Sequence, residues 1–305
     1  MRPTVAVAIC TYNRNEALTT LLKALLSSVA RVAGTAVVGV VVVDDSVDGM
    51  ARTVTEQFEG RFELGITYRI SGRQNISLAR NLAIETASKI GDWTAMIDDD
   101  CEPDPGWLKE LLEAQRRTGA DAVSGPMVRR VPLGSPLWLT DEPFLELGLD
   151  HPDDGAELTI AATFNSMISS KWLNEHPAIR FQPTLGVIGG EDMVFYRTAH
   201  TAGLRIRYAK RAIVYENEPP SRANLAYQLR LFFWHGNSSY VTNVRNGIRP
   251  SRMFLNGANS LRQALVRPVI RVIRGQRPQL RYCLASALHA IGKMVGPLGI
   301  QVRHR

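Results

Sequence analysis

Unbroken apolar runs alternate with apolar stripes at helical spacing through the first 125 residues of the chain. Residues 5–10 form a short apolar run of the kind that makes a buried strand. Leu18, Leu21, Leu22, Leu25 and Leu26 follow at three- and four-residue spacing and predict a helix, with Asn15 as its N-cap. Residues 37–43 are dominated by valine, which suits a strand buried on both faces. A helix over 50–58, a strand at 66–69, a helix at 77–88 and a fourth strand at 93–97 come next. Pro105 opens a further helix with the stripe Trp107, Leu108, Leu111 and Leu112, and Gly119 closes it. Such repeated units predict an α/β fold, a mostly parallel, Rossmann-like sheet flanked by helices.

Beyond residue 125 the pattern loosens. Residues 126–158 are rich in proline and acids and read as a long surface loop; 158–169 read as a strand, and 191–202 as a helix opened by Gly189 and Gly190. After Tyr215 the alternation ends, and 223–234 and 259–272 are predicted helices, the second strongly basic. Residues 282–295 are apolar but interrupted by His289 and Lys293, too short and polar for a membrane span, so an interfacial helix is expected there. The break predicts a catalytic body over 1–218 and a basic, mainly helical C-terminal region over 219–305.

Charge follows the same division. The net charge of +7 combines a body with 22 Lys/Arg against 29 Asp/Glu and a tail with 14 Lys/Arg and no acid after Glu218. A basic tail of this kind predicts a polyanionic partner. Without a recognised nucleic-acid motif, and with few aromatics beyond its start, the tail is expected to meet an anionic membrane surface and no nucleic acid. Cys10, Cys101 and Cys283 lie far apart and form no CxxC pair, which points to a reducing compartment and away from disulfides or zinc. The apolar segment at 5–10 is too short for a signal peptide. A cytoplasmic protein, peripheral on the inner face of the plasma membrane, is the expectation.

The chemistry starts at Asp98, Asp99 and Asp100, which follow the fourth predicted strand. Three adjacent carboxylates repel one another and resist leaving water. A divalent cation, Mg²⁺ or Mn²⁺, would relieve that penalty and could grip a substrate diphosphate; a solvated acidic turn is the plain alternative. Ligands of parallel sheets bind beyond the carboxyl ends of the strands. Thr11, Tyr12, Asn13 and Arg14, the pair Asp44-Asp45, and the three aspartates all fall there.

Cys10-Thr11-Tyr12-Asn13-Arg14, Val43-Asp44-Asp45-Ser46, Asn75 with Ala79-Arg80-Asn81, Asp98-Asp99-Asp100 and Gly190-Glu191-Asp192 stand in the order of the motifs of inverting glycosyltransferases of family 2. Over about residues 4–235 the chain resembles that family, and within it the bacterial exopolysaccharide (succinoglycan-type) enzymes. The resemblance implies a GT-A fold, here with a basic helical C-terminal extension. It also implies a UDP-sugar donor, with glucose the modal sugar, and a glycan or polyprenyl-diphosphate-linked acceptor. Thr11, Tyr12, Arg14, Asp44 and Asp45 match the nucleotide-holding positions, and Arg73 and Arg80 lie toward the base or diphosphate. Asp100 matches the metal ligand of the DxD site, with Asp98 and Asp99 toward ribose, donor sugar or metal, and His235 is a candidate further ligand. Asp192 matches the general base that takes the acceptor proton, with Glu191 the runner-up. Asn165 matches an acceptor-side position where an amide could meet a sugar hydroxyl. Gln228 through Trp234 match only loosely the QxxRW motif of processive polymerases, so a single-addition enzyme is expected.

Three rivals remain. A sugar nucleotidyltransferase opens with a Gly-rich loop, which residues 10–14 lack. A phospho-acceptor receiver domain places its paired acids after the first strand, whereas Asp44-Asp45 follow the second. A catalytically silent nucleotide-binding protein docked on a membrane would have no need of the three aspartates or of Glu191-Asp192.

Overall fold

Val5, Ala6, Val7, Ala8 and Ile9 are all at most 4% exposed, which only a strand covered on both faces and flanked on both sides can achieve. This strand, β1 (Thr4–Thr11), is central. It pairs parallel with β2 (Val37–Asp44) over its full length, from Thr4 opposite Val37 to Thr11 opposite Asp44. Between them α1 (Asn15–Val32) buries Leu18, Leu21, Leu22 and Leu25; Asn15 is its first helical residue rather than its cap, and its amide donates to Met50 O. The computed structural model describes residues 1–300.

The chain continues through α2 (Arg52–Glu56), β3 (Ile66–Ile70), α3 (Ile76–Ala87), β4 (Trp93–Met96), β5 (Cys101–Pro103) and α4 (Trp107–Thr118). Asn75 caps α3, its Oδ1 accepting from the amides of Ser77 and Leu78, and Gly119 ends α4 in the left-handed conformation (φ 63°). Next come β6 (Ala122–Ser124), β7 (Met127–Arg130), α5 (Trp138–Asp141), β8 (Glu157–Leu158), β9 (Ser166–Ser169), α6 (Ser170–Glu175), α7 (Glu191–Thr201), β10 (Ile206–Tyr208) and β11 (Val214–Asn217). Three long helices follow: α8 (Leu225–Arg245), α9 (Pro250–Ile273) and α10 (Leu280–Val295).

The main sheet has the order β3-β2-β1-β4-β9-β6-β10-β8, with β9 antiparallel to β4 and β6, and β8 antiparallel to β10. A three-stranded sheet, β5-β11-β7, stands beside it. The segment at 126–158, expected as a loop, contains β7, α5 and the short β8: a strand at a sheet edge needs few residues and leaves little periodicity. Likewise the strand expected over 158–169 is two, β8 and β9, separated by a loop.

Two compact units emerge. The first holds Met1–Val128, Asp150–Gly186 and Glu191–Asn217; the second holds Arg129–Leu149, Val187–Gly190 and the chain from Glu218 onward. In the second, Phe144, Phe232 and Tyr282 meet edge to face over a core with Leu139 and Ala285. Here α8 and α10 touch backbone to backbone. A Cβ on Gly236 would lie 2.0 Å from His289 O, and one on Gly292 would lie 2.3 Å from Phe233 O.

Asn165, expected at an acceptor sugar, instead ties the first unit together. It is 0% exposed, its Oδ1 accepts from Trp107 Nε1 (2.8 Å), and its Nδ2 donates to Pro126 O (2.8 Å) and Ala212 O (2.6 Å). Its amide group thus has no role left for a ligand. Asn165→Ala orphans three buried partners and should cost about 3 kcal/mol, read as a lower midpoint in denaturant unfolding; a midpoint like that of the wild type would contradict this accounting.

Candidate active site

Parallel pairing of β1 with β2 and β4 sets three strand ends side by side, and each ends in acids or in the residues that hold them. Thr11 closes β1, Asp44 closes β2 with Asp45 following, and Asp98–Asp100 form the turn from β4 into β5. α3 contributes Arg80, and the first turn of α7 contributes Glu191 and Asp192. All of these belong to the first unit.

Identical side chains in this cluster have different neighbours. Asp44 is 0% exposed, and its two oxygens take four hydrogen bonds: from Ser46 N and Oγ, from Ala51 N and from Tyr68 OH. It organises the loop after β2. Next to it Asp45, 4% exposed, accepts from Arg73 N (3.2 Å), while its own amide donates to Thr11 O. The side chain of Arg73 is exposed, as is that of Arg14, whereas Tyr12 is half-buried. Asn13 (φ 54°) and Gln74 (φ 50°) hold the two flanking loops in the left-handed region, a conformation that surrounding structure must impose on a residue with a side chain.

Asp99 is the inward member of the three aspartates. Its Oδ2 accepts from Thr11 Oγ1 (2.8 Å) and its Oδ1 from Arg14 (3.0 Å), so it fastens the β1 loop to the β4 turn. Burial pushes its pKa up to about 6, against the pull of Arg14. Arg14 also reaches Asp100 (2.9 Å). The Asp98 and Asp100 side chains are 35% and 27% exposed, and so are the carboxylates of this turn that a ligand can approach. Their hard, acceptor-only oxygens suit Mg²⁺ or Mn²⁺. Among the described residues, no group of three or more His, Cys, Asp or Glu side chains is arranged to hold a metal ion by itself.

One buried arginine joins the two halves of the cluster. Arg80 donates to Asp98 Oδ1 (3.0 Å) and, through its other terminal nitrogen, to Glu191 Oε1. Glu191 Oε2 is buried without a hydrogen-bond partner. Burial raises the Glu191 pKa to about 7, and Arg80 only partly offsets it; burial also raises that of Asp192. A sequence gives no hint that one arginine spans both motifs, because Arg80 lies 111 positions from Glu191. Cys10, to which the motifs gave no role, sits among Arg80, Asp98, Asp99 and Asp45, its thiol kept neutral by burial.

His235 lies in the second unit on α8. Its Nδ1 is 3.4 Å from His289 Nε2, and burial, with Arg129 and Lys293 nearby, lowers its pKa to about 4. Trp234, its neighbour, donates from Nε1 to Ile188 O.

The model of Glycosyl transferase family 2 matches residues 6–176, more than half of the sequence. The chain belongs to glycosyltransferase family 2. This family 2 glycosyltransferase is 31% identical over 263 residues to the succinoglycan biosynthesis protein ExoM of Rhizobium meliloti (strain 1021), covering 85% of the chain and 78% of that protein. Its fold is similar to that of S. aureus TarS 1-349 in crystals with UDP (TM-score 0.54, 16% identity) and with UDP-GlcNAc (TM-score 0.54, 15% identity). Each alignment covers 98% of this chain and 92% of the other. The likeness places the family 2 chain in the GT-A fold, as its sequence motifs led one to expect.

The raised Glu191 pKa sets a pH dependence with an unusual sign. The folded state keeps this proton up to about pH 7, whereas an ordinary glutamate releases it near 4.5. Between those values the folded state binds more protons, so this residue's contribution to stability falls as pH rises. Relative to Glu191→Gln, which does not titrate, the wild type should therefore lose stability between pH 5 and pH 8 in denaturant melts. A difference that stays flat or runs the other way would refute the assignment.

Proposed function

We propose that the chain transfers a hexose, with glucose the best guess, from a UDP-sugar to an acceptor hydroxyl of a lipid-linked glycan, with inversion and one addition per encounter. The observation that carries this reading is the Asp98–Arg80–Glu191 bridge, which couples the turn suited to a diphosphate to the helix start that offers a base. The succinoglycan name of the R. meliloti relative supports a polysaccharide pathway, and the UDP and UDP-GlcNAc complexes of the structural neighbour support a uridine nucleotide donor.

Asp45 accepts hydrogen bonds from uracil or ribose, since a carboxylate offers only acceptors. Thr11 and Tyr12 line the nucleotide's side of the β1 loop, and Arg14 and Arg73 supply positive charge toward the diphosphate. Asp98 and Asp100 would hold Mg²⁺ or Mn²⁺, which their hard carboxylate oxygens suit. When bound, such a cation neutralises the leaving diphosphate as a Lewis acid. Asp192 takes the proton from the acceptor hydroxyl as that oxygen attacks the anomeric carbon and the carbon–oxygen bond to UDP breaks. Its raised pKa makes it a stronger base than an exposed aspartate. Glu191, held by Arg80, fixes the start of α7 and so positions that base. The arginine-rich C-terminal unit keeps the enzyme at an anionic membrane surface on the cytoplasmic side, where a polyprenyl-diphosphate acceptor resides.

Asp192→Asn should lower kcat by roughly a hundred- to ten-thousand-fold, while UDP with Mg²⁺ or Mn²⁺ still raises the melting temperature. Full transfer by this variant would remove Asp192 from the role of base. A wild type that consumes no nucleotide sugar, and that UDP does not stabilise, would overturn the enzyme reading in favour of a silent module.

A further inference from the structure

The outward face of α9 is inverted for a helix bordering water. Met253, Gly257 and Ala264 are its buried positions and mark the inward side. With 3.6 residues per turn, the opposite side carries Leu255, Leu265, Val266, Val269 and Ile273, from 45% (Val266) to 78% (Ile273) exposed. Val266, Val269 and Ile273 follow one another at three- and four-residue steps, as do Leu265, Val269 and Val272, so the side chains form one continuous stripe. A solvent-facing stripe is ordinarily polar, and a contiguous apolar one marks an interaction surface.

What covers it follows from the charge beside it. Arg262, Arg267, Arg271 and Arg274, with Ser286 and His289, line a cavity of about 750 Å³ between α9 and α10. The Arg267 guanidinium lies 4.8 Å from the Tyr282 ring centroid, and Arg271 donates to Arg277 O (2.7 Å). No acid follows Glu218, and among the described residues Arg262 and Arg274 are paired with no carboxylate, whereas Arg271 also borders a cavity that Asp141 and Glu142 line. A second copy meeting this face about a two-fold axis would set arginine against arginine. Lipid phosphates supply the missing negative charge, and the acyl boundary supplies the apolar phase. No helix among the described residues is long and apolar enough to cross a membrane, which leaves the interfacial position.

We infer that the outward face of α9 seats in the interfacial layer of an anionic lipid bilayer, with Arg262, which lies on that face, and Arg274, at its border, meeting lipid phosphates. This moves the interfacial role away from residues 282–295. In the structure those residues form α10, which buries Cys283, Ala285, Ala290 and Gly292. The inference deepens the membrane-surface part of the proposed function and is independent of the donor.

The test is co-sedimentation of the full chain with phosphatidylcholine vesicles, with and without a quarter phosphatidylglycerol, at low and high salt. The wild type should pellet with the anionic vesicles and be released by salt. V269D/I273D changes two exposed positions and should lower partition at least about tenfold; R262Q/R274Q should lower it about fivefold per arginine. Stabilisation by UDP, measured on the same proteins, should be unchanged. Equal pelleting of the wild type and V269D/I273D, or no pelleting of the wild type, would overturn the inference. So would a wild-type dimer that V269D/I273D separates without loss of vesicle binding, because the stripe would then belong to a second copy. Failure of UDP to stabilise any of them would count against the donor reading alone.

Discussion

Two arginines, Arg14 and Arg80, tie together the acids at the strand ends and at the start of α7, and the rest of the site depends on those ties. Arg14 pairs with Asp99 and Asp100, Arg80 pairs with Asp98 and Glu191, and Asp192 lies near Arg80. Taking an ion out of water costs several kcal/mol unless it is paired. The structure responds by raising acid pKa values, for Asp99 to about 6 and for Glu191 to about 7, each against a nearby arginine. The proposed reaction draws on both results: hard carboxylate oxygens at the β4 turn and a raised proton affinity at Asp192.

Neighbouring acids divide the labour. At the end of β2, Asp44 spends both oxygens on four neutral donors and shapes the loop, which leaves Asp45 beside Thr11 and Arg73. At the end of β4, Asp99 turns inward to Thr11 and Arg14, which leaves Asp98 and Asp100 at the surface of the turn. Adjacent aspartates therefore provide one anchor and one ligand group from the same short sequence, and fixing the anchor orients the other. An isolated aspartate at either strand end would have to choose between the two tasks.

This division explains which features were legible in the sequence. Valine-rich runs, leucine stripes and the order of the acidic motifs specify the sheet, its flanking helices and the neighbourhood of the site, because each is a local pattern with one periodicity. The letters Asp98-Asp99-Asp100 say nothing of three different environments, since Thr11, Arg14 and Arg80 arrive from elsewhere in the chain. Asn165 looked like a polar residue available to a sugar for the same reason: its partners, Trp107, Pro126 and Ala212, are distant in sequence. The expectation of an interfacial helix over 282–295 meets a related gap. Residues 282–295 are the more apolar segment, but Gly292 lets them close onto α8, whereas the apolar stripe of α9 is left outside. Periodicity shows that a helix has two faces and not which one is turned inward.

The separation of charge along the chain has a physical consequence of its own. Every acid lies at or before Glu218, so the arginines of α9 have no carboxylate in their own helical segment with which to pair. A paired arginine is a weak anion receptor, because an incoming phosphate must first displace the carboxylate. Keeping the helices α8 to α10 free of acids preserves their phosphate affinity. On the proposed reading, a site for a diphosphate and a site for lipid phosphates share one chain of 305 residues because its acids stop at Glu218 and the arginines of α9 come after it.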